Sequence, residues 1–109
     1  MSAAQHTVLV VDDDEAHRTM LSEILGDLGV TVECAGNGEE ALAALSQRLP
    51  DLMILDMRMP VLDGLGTLTA MESRGLSVPT VSAPSADSPE VYLVAELTAS
   101  LHRCHAASR

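Results

Sequence analysis

Two short runs, Thr7–Val11 (TVLVV) and Leu52–Leu55 (LMIL), are apolar almost throughout, and each stops at a carboxylate: Asp12 after the first, Asp56 after the second. A strand with one wet face alternates apolar and polar residues. A strand without alternation has both faces covered, which is the situation inside a parallel sheet. Parallel neighbours cannot be joined by a tight turn and need a crossover, usually a helix. These two runs therefore constrain the fold more than any other feature of the chain.

The segments between them supply the crossovers. From Glu15 the period changes to a helical one, with Met20, Leu21, Ile24, Leu25 and Leu28 on one stripe and Arg18, Ser22, Glu23 and Asp27 elsewhere; Gly29 is placed to stop the helix in a left-handed cap. Val30–Cys34 reads as a second strand. Asn37 followed by Glu40 resembles a capping box, and the helix it opens carries Ala41, Leu42 and Leu45 to about Arg48. Pro50 separates that helix from the LMIL strand. After the turn Met57–Gly64 a third helix is expected to present Leu65, Leu68 and Met71, with Gly75 as its stop. Strands alternating with helices through short connections predict an α/β fold, a doubly wound parallel sheet with helices on both faces.

Beyond Pro79 the pattern weakens. Thr80-Val81-Ser82 begins a strand that Pro84 forces to end by Ala83. Ser88-Pro89-Glu90 is a good helix start, with Val91, Leu93, Val94, Ala95 and Leu97 available for an apolar side. Residues 101–109 show neither strand alternation nor a helical stripe. A chain of 109 residues suits one core rather than two, and residues 7–109 are read as a single domain, well patterned over 7–79 and divergent over 80–109.

Composition narrows the function. The formal net charge of −10 repels nucleic-acid phosphates and anionic lipid heads, so neither DNA binding nor membrane binding is expected of this chain. No apolar run approaches the ~20 residues of a membrane span, and residues 1–6 contain no secretory signal, so a cytoplasmic location is expected. Cys34 and Cys104 have no metal-ligand spacing and are read as reduced, structural thiols. His6 and His17 are read as exposed polar residues. His102, Cys104 and His105 make a weak zinc cluster without a second group of ligands. The six basic residues are Arg18, Arg48, Arg58, Arg74, Arg103 and Arg109, so the chain has no lysine.

Ligands of parallel α/β sheets collect beyond the carboxyl ends of the strands, where the winding reverses. The first strand delivers Asp12 and Asp13 to that edge and the third delivers Asp56. If these strands are neighbours, three like charges converge, at a cost that a divalent cation relieves. Few oxygen ligands, with room left for water and phosphate, suit Mg²⁺ better than a caged Ca²⁺. Asp12-Asp13-Asp14-Glu15 alone would be read as a solvated first helical turn. The second acid-ended strand is what shifts the balance toward a site.

The segments Val8–Glu15 (VLVVDDDE) and Pro50–Gly64 (PDLMILDMRMPVLDG) resemble the two signature stretches of response-regulator receiver domains. Asn37–Leu42 (NGEEAL) is similar to the start of their second helix, and Arg58-Met59-Pro60 is most like receivers of NtrC-type regulators. The resemblance covers residues 7–79. It implies a flavodoxin-like architecture and a phosphoacceptor module of a two-component system, which takes a phosphoryl group onto Asp56 from a sensor histidine kinase or phosphotransfer protein. Asp12, Asp13, Asp56 and the backbone carbonyl of Arg58 would hold Mg²⁺, Pro60 would shape the loop, and Gly64 would permit its exit into the next helix. Such a module assists its own phosphorylation and is not an enzyme with a separate substrate.

The chain also departs from that family. The phosphoryl-binding Ser or Thr that ends the fourth strand finds two candidates, Ser82 and Ser85, neither at the usual spacing from Asp56. The lysine that ends the fifth strand is missing, Arg103 is no simple replacement for it, and residues 101–109 cannot supply both a fifth strand and a fifth helix. The tail therefore reads as truncated or frameshifted, with self-association through an uncovered edge expected. The alternative function is a degenerate or truncated receiver that binds cation or partner without normal phospho-switching. From other classes, an aspartate-nucleophile phosphatase would resemble Asp-x-Asp where this chain has Asp56-Met57-Arg58, and a dinucleotide-binding enzyme would want a glycine-rich turn where it has acids.

Overall fold

The structure, a computed structural model, describes residues 6–56 and 62–82, the last of them by its backbone alone. In chain order the elements are β1 (Thr7–Val11), α1 (Glu15–Asp27), β2 (Thr31–Ala35), α2 (Gly38–Gln47), β3 (Leu52–Leu55), α3 (Gly64–Ser73) and β4 (Thr80–Ser82). The four strands form one parallel sheet in the order β2-β1-β3-β4. The chain steps from β1 outward to β2, then crosses back over β1 to β3, so the winding reverses between β1 and β3. Flavodoxin-like sheets bind their ligands at such a point.

The missing alternation in β1 and β3 has its explanation in two separate cores. Val8, Val10, Leu52 and Ile54 pack on one face with Leu21 and Leu25 of α1 and with Val30. Leu9, Val11, Met53 and Leu55 pack on the other with Ala41, Leu42 and Leu45 of α2 and Met71 of α3. Successive side chains thus leave on opposite faces and both sets are buried. Each fully buried Leu or Ile contributes roughly 1.5–3 kcal/mol relative to exposure.

Local chemistry fixes the helix ends. Asp14 caps α1, accepting from the backbone N–H groups of Ala16 at 3.0 Å and His17 at 3.4 Å. Asn37 caps α2 by accepting from Glu40 N–H at 2.9 Å, and the Glu40 carboxylate accepts in return from Gly36 N–H at 2.9 Å, one residue before the position a strict capping box uses. Asp63 caps α3 and accepts from Gly66 N–H at 2.7 Å. Gly29 and Gly75 follow α1 and α3 with φ of 84° and 70°, the left-handed conformation expected of them.

Several expectations need correcting. The second strand is Thr31–Ala35, one residue later than read, because Val30 turns inward to close the core beneath α1. Leu65 is 66% exposed, whereas Gly64, Thr67 and Met71 are the buried residues of α3, with Leu68 only partly covered. Cys34 is an exposed thiol on the edge strand β2 rather than a structural one. His6 is 7% exposed, and among the described residues its Nδ1 has no hydrogen-bond partner, so it is not a surface histidine. The expected helix after Ser88, the fifth strand and helix, the histidines and cysteine at 102–105, and the uncovered edge beyond β4 all lie outside the described residues. No helix among the described residues is long and apolar enough to cross a membrane.

Candidate functional site

The acidic edge is built by the sheet ladder itself. Asp12 N–H donates to the Ala35 carbonyl at 3.1 Å and Asp56 N–H to the Val11 carbonyl at 2.9 Å, so hydrogen bonding continues one residue past the ends of β1 and β3. Val11 stands beside Leu55 in the register of these strands, which puts Asp12 and Asp56 side by side at the winding reversal. Asp13 follows before the chain turns into α1. One carboxylate oxygen from each of Asp12, Asp13 and Asp56 lies within 4.8 Å of the other two.

The three acids differ in setting. Asp12 is 2% exposed, Asp56 half-buried and Asp13 exposed. Asp12 is held at three points. Its Oδ1 accepts from Asp14 N–H at 2.9 Å, its Oδ2 meets Nδ1 of His17, and its backbone carbonyl accepts from Nη1 of Arg18 at 2.6 Å. A buried carboxylate engaged at both oxygens is held in place beside Asp13 and Asp56. A set of hard carboxylate oxygens, partly open to solvent, fits a small divalent cation of the Mg²⁺ kind, which keeps several waters and takes few protein ligands.

Of the residues singled out from the sequence, Asp12, Asp13 and Asp56 are brought together. Gly64 is the buried first residue of α3, directly after the capping Asp63. Ser82 ends the described part of β4 beside Leu55, one row short of Asp56. Arg58, Pro60 and Ser85 lie outside the described residues.

His17 and Arg18 are the residues that sequence reasoning missed. The sequence reads His17 as exposed, yet its side chain is 23% exposed and rests against Asp12. Arg18 lies off the apolar stripe of its helix, where the sequence assigns it no role. The signal was available in the capping pattern: with Asp14 as N-cap, residues 17 and 18 occupy the end of the first turn. Helical side chains lean toward the N-terminus, so they reach back over the strand end they follow.

Comparison with known proteins agrees with this geometry. The family model described as "Response regulator receiver domain" matches residues 8–104. The DNA-binding transcriptional regulator NtrC of Salmonella typhimurium is 40% identical over 74 residues, covering 68% of this chain and 16% of the relative. A protein-glutamate methylesterase/protein-glutamine glutaminase of Syntrophomonas wolfei is 43% identical over 91 residues, covering 81% of this chain and 26% of the relative. The chain thus spans about a quarter or less of the length of these two relatives. Among solved structures, the chemotaxis protein CheY4 of Vibrio cholerae superposes with a TM-score of 0.65 at 33% identity, covering 84% of this chain and 79% of that one. With two acid-ended neighbouring strands at the winding reversal of a parallel sheet, and a family match over most of its length, this chain belongs to the response regulator receiver domain family.

Proposed function

We propose that residues 7–109 act as a single cytoplasmic receiver in which Asp56 accepts a phosphoryl group from the phosphohistidine of a sensor histidine kinase or phosphotransfer protein. The observation that carries this reading is the convergence of Asp12, Asp13 and Asp56 within 4.8 Å at the end of β1 and β3. Asp56 follows an apolar strand directly, so a rigid element holds its backbone, and it is half-buried rather than sealed from solvent. An oxygen of Asp56 forms the new bond to phosphorus as the phosphorus–nitrogen bond breaks and its electron pair returns to the donor imidazole.

Asp12, Asp13, Asp56 and the backbone carbonyl of Arg58 would hold Mg²⁺. When bound, the ion neutralises the carboxylates and the phosphoryl oxygens together. The residues of the chain then have positioning work to do: Asp12 and Asp13 fix where the charge is balanced, and Asp56 stays in line with the incoming group. Ser82 and Ser85 are the candidates for a hydrogen bond to the phosphoryl group. Pro60 and Gly64 would shape the connection between Asp56 and α3. No substrate other than the chain itself is turned over.

A second reading is favoured by one observation, the absence of any lysine from the sequence. On this reading the chain is a degenerate or truncated receiver that binds cation or partner without normal phospho-switching. Incubation with acetyl phosphate and Mg²⁺ separates these cases. Intact-mass analysis is expected to show one labile phosphoryl group, lost in Asp56→Asn. Phosphorylation that persists in that variant rejects Asp56. Phosphorylation without any change in the amide NMR spectrum beyond the site supports the second reading over the first.

A further inference from the structure

We propose that His17 is a positioning residue for the cation site, its imidazole holding Asp12 in the orientation that binding requires. This role rests on the cation site proposed above. Asp12 is 2% exposed and both of its carboxylate oxygens are engaged, Oδ1 by the backbone N–H of Asp14 at 2.9 Å and Oδ2 by Nδ1 of His17. A single anchor at Oδ1 would leave the carboxylate free to rotate about it. Two anchors, one from the backbone turn and one from the first turn of α1, fix the plane of the group.

A carboxylate oxygen has two lone-pair directions, so accepting from His17 still leaves Oδ2 a direction for a cation. A proton on Nδ1 lets the imidazole donate to Oδ2 of Asp12. This donor also offsets part of the cost of burying an ionised carboxylate beside two others. Hydrogen-bond partners behind metal-ligating carboxylates commonly change affinity by about 10- to 100-fold when removed. His17 is itself 23% exposed and lies on the surface of a helix that is capped independently by Asp14, so its replacement spares the core.

The test is calorimetric titration of the full chain with MgCl₂ alone. His17→Ala is expected to weaken binding by about tenfold, and His17→Asn, whose amide places an N–H near the position of Nδ1, to restore most of it. A purely structural role predicts no such rescue. Long-range ¹H–¹⁵N NMR of the unmodified chain at mildly alkaline pH supplies a second readout, with the proton expected on Nδ1. Unchanged affinity in His17→Ala, a loss that Asn fails to restore, or a proton on Nε2 alone would each overturn the role. If the unmodified chain binds no Mg²⁺, the cation site fails and this role with it; if the chain binds and His17→Ala binds equally, the role alone fails.

Discussion

Met71 and Leu65 lie six residues apart on α3, yet Met71 is 4% exposed among Leu9, Leu42 and Leu55 and their neighbours, and Leu65 is 66% exposed. Met71→Ala is therefore expected to cost about 2–5 kcal/mol, the range for emptying a packed core position. Leu65→Ala is expected to change stability by less than about 0.5 kcal/mol. Denaturant melts of the two variants check the pair, and similar losses for both would contradict the burial described. Leucine identity could not reveal this difference, because a leucine on the wet side of a helix is common and a buried threonine takes its place here. Thr67 is fully buried and satisfies its hydroxyl by donating to the Asp63 carbonyl at 2.7 Å. The acids were legible for the opposite reason: a charge that ends an apolar strand has few structural explanations. His17 was not, since its meaning depends on the direction in which the first turn of α1 leans.

At the scale of elements, the start of α2 at Gly38 lies tight against Thr67 of α3 and the Leu62 that precedes it. A Cβ placed there would fall 2.2 Å from Thr67 Oγ1, 2.7 Å from the Leu62 carbonyl and 2.9 Å from Leu62 Cβ. The Leu62 carbonyl is backbone and cannot swing aside as a flexible side chain could. Gly38→Ala should consequently destabilise the chain by at least about 1–3 kcal/mol, the usual cost of overpacking, in spite of alanine's better helix propensity. Thermal melts decide the sign, and a stabilised Gly38→Ala would mean that α2 and α3 are not in this contact. The strands and helices themselves were readable because β1 and β3 have cores on both faces and because Asn37 and the glycines at 29 and 75 mark helix ends. The close approach at Gly38 was not, because in sequence Asn37-Gly38 reads as a capping signal and the neighbours that forbid a side chain, Leu62 and Thr67, come more than twenty residues later. Pattern gives the period of an element. It does not give the distance between two of them.

For the molecule as a whole, the net charge of −10 and three converging carboxylates set stability and cation binding against each other. Without a divalent cation, the native state holds like charges together that the unfolded chain keeps apart, so removing one should relieve repulsion. Asp13 is the member to remove, because it is exposed, whereas Asp12 is buried against His17 and Arg18. Asp13→Asn is therefore expected to melt higher than the unmodified chain in the presence of a chelator. Added Mg²⁺ reverses the order. A ligand that binds only the native state adds about 2.7 kcal/mol at a concentration a hundredfold above its Kd, and the variant forgoes most of that gain. Asp13 is solvent-exposed, so salt screens the repulsive part, and the contrast should be sharpest at low ionic strength. Melting curves of both proteins with and without Mg²⁺ test the crossing. Parallel curves, with the variant lower or higher in both conditions by the same margin, would separate the acidic cluster from cation binding and leave Asp13 an ordinary surface carboxylate.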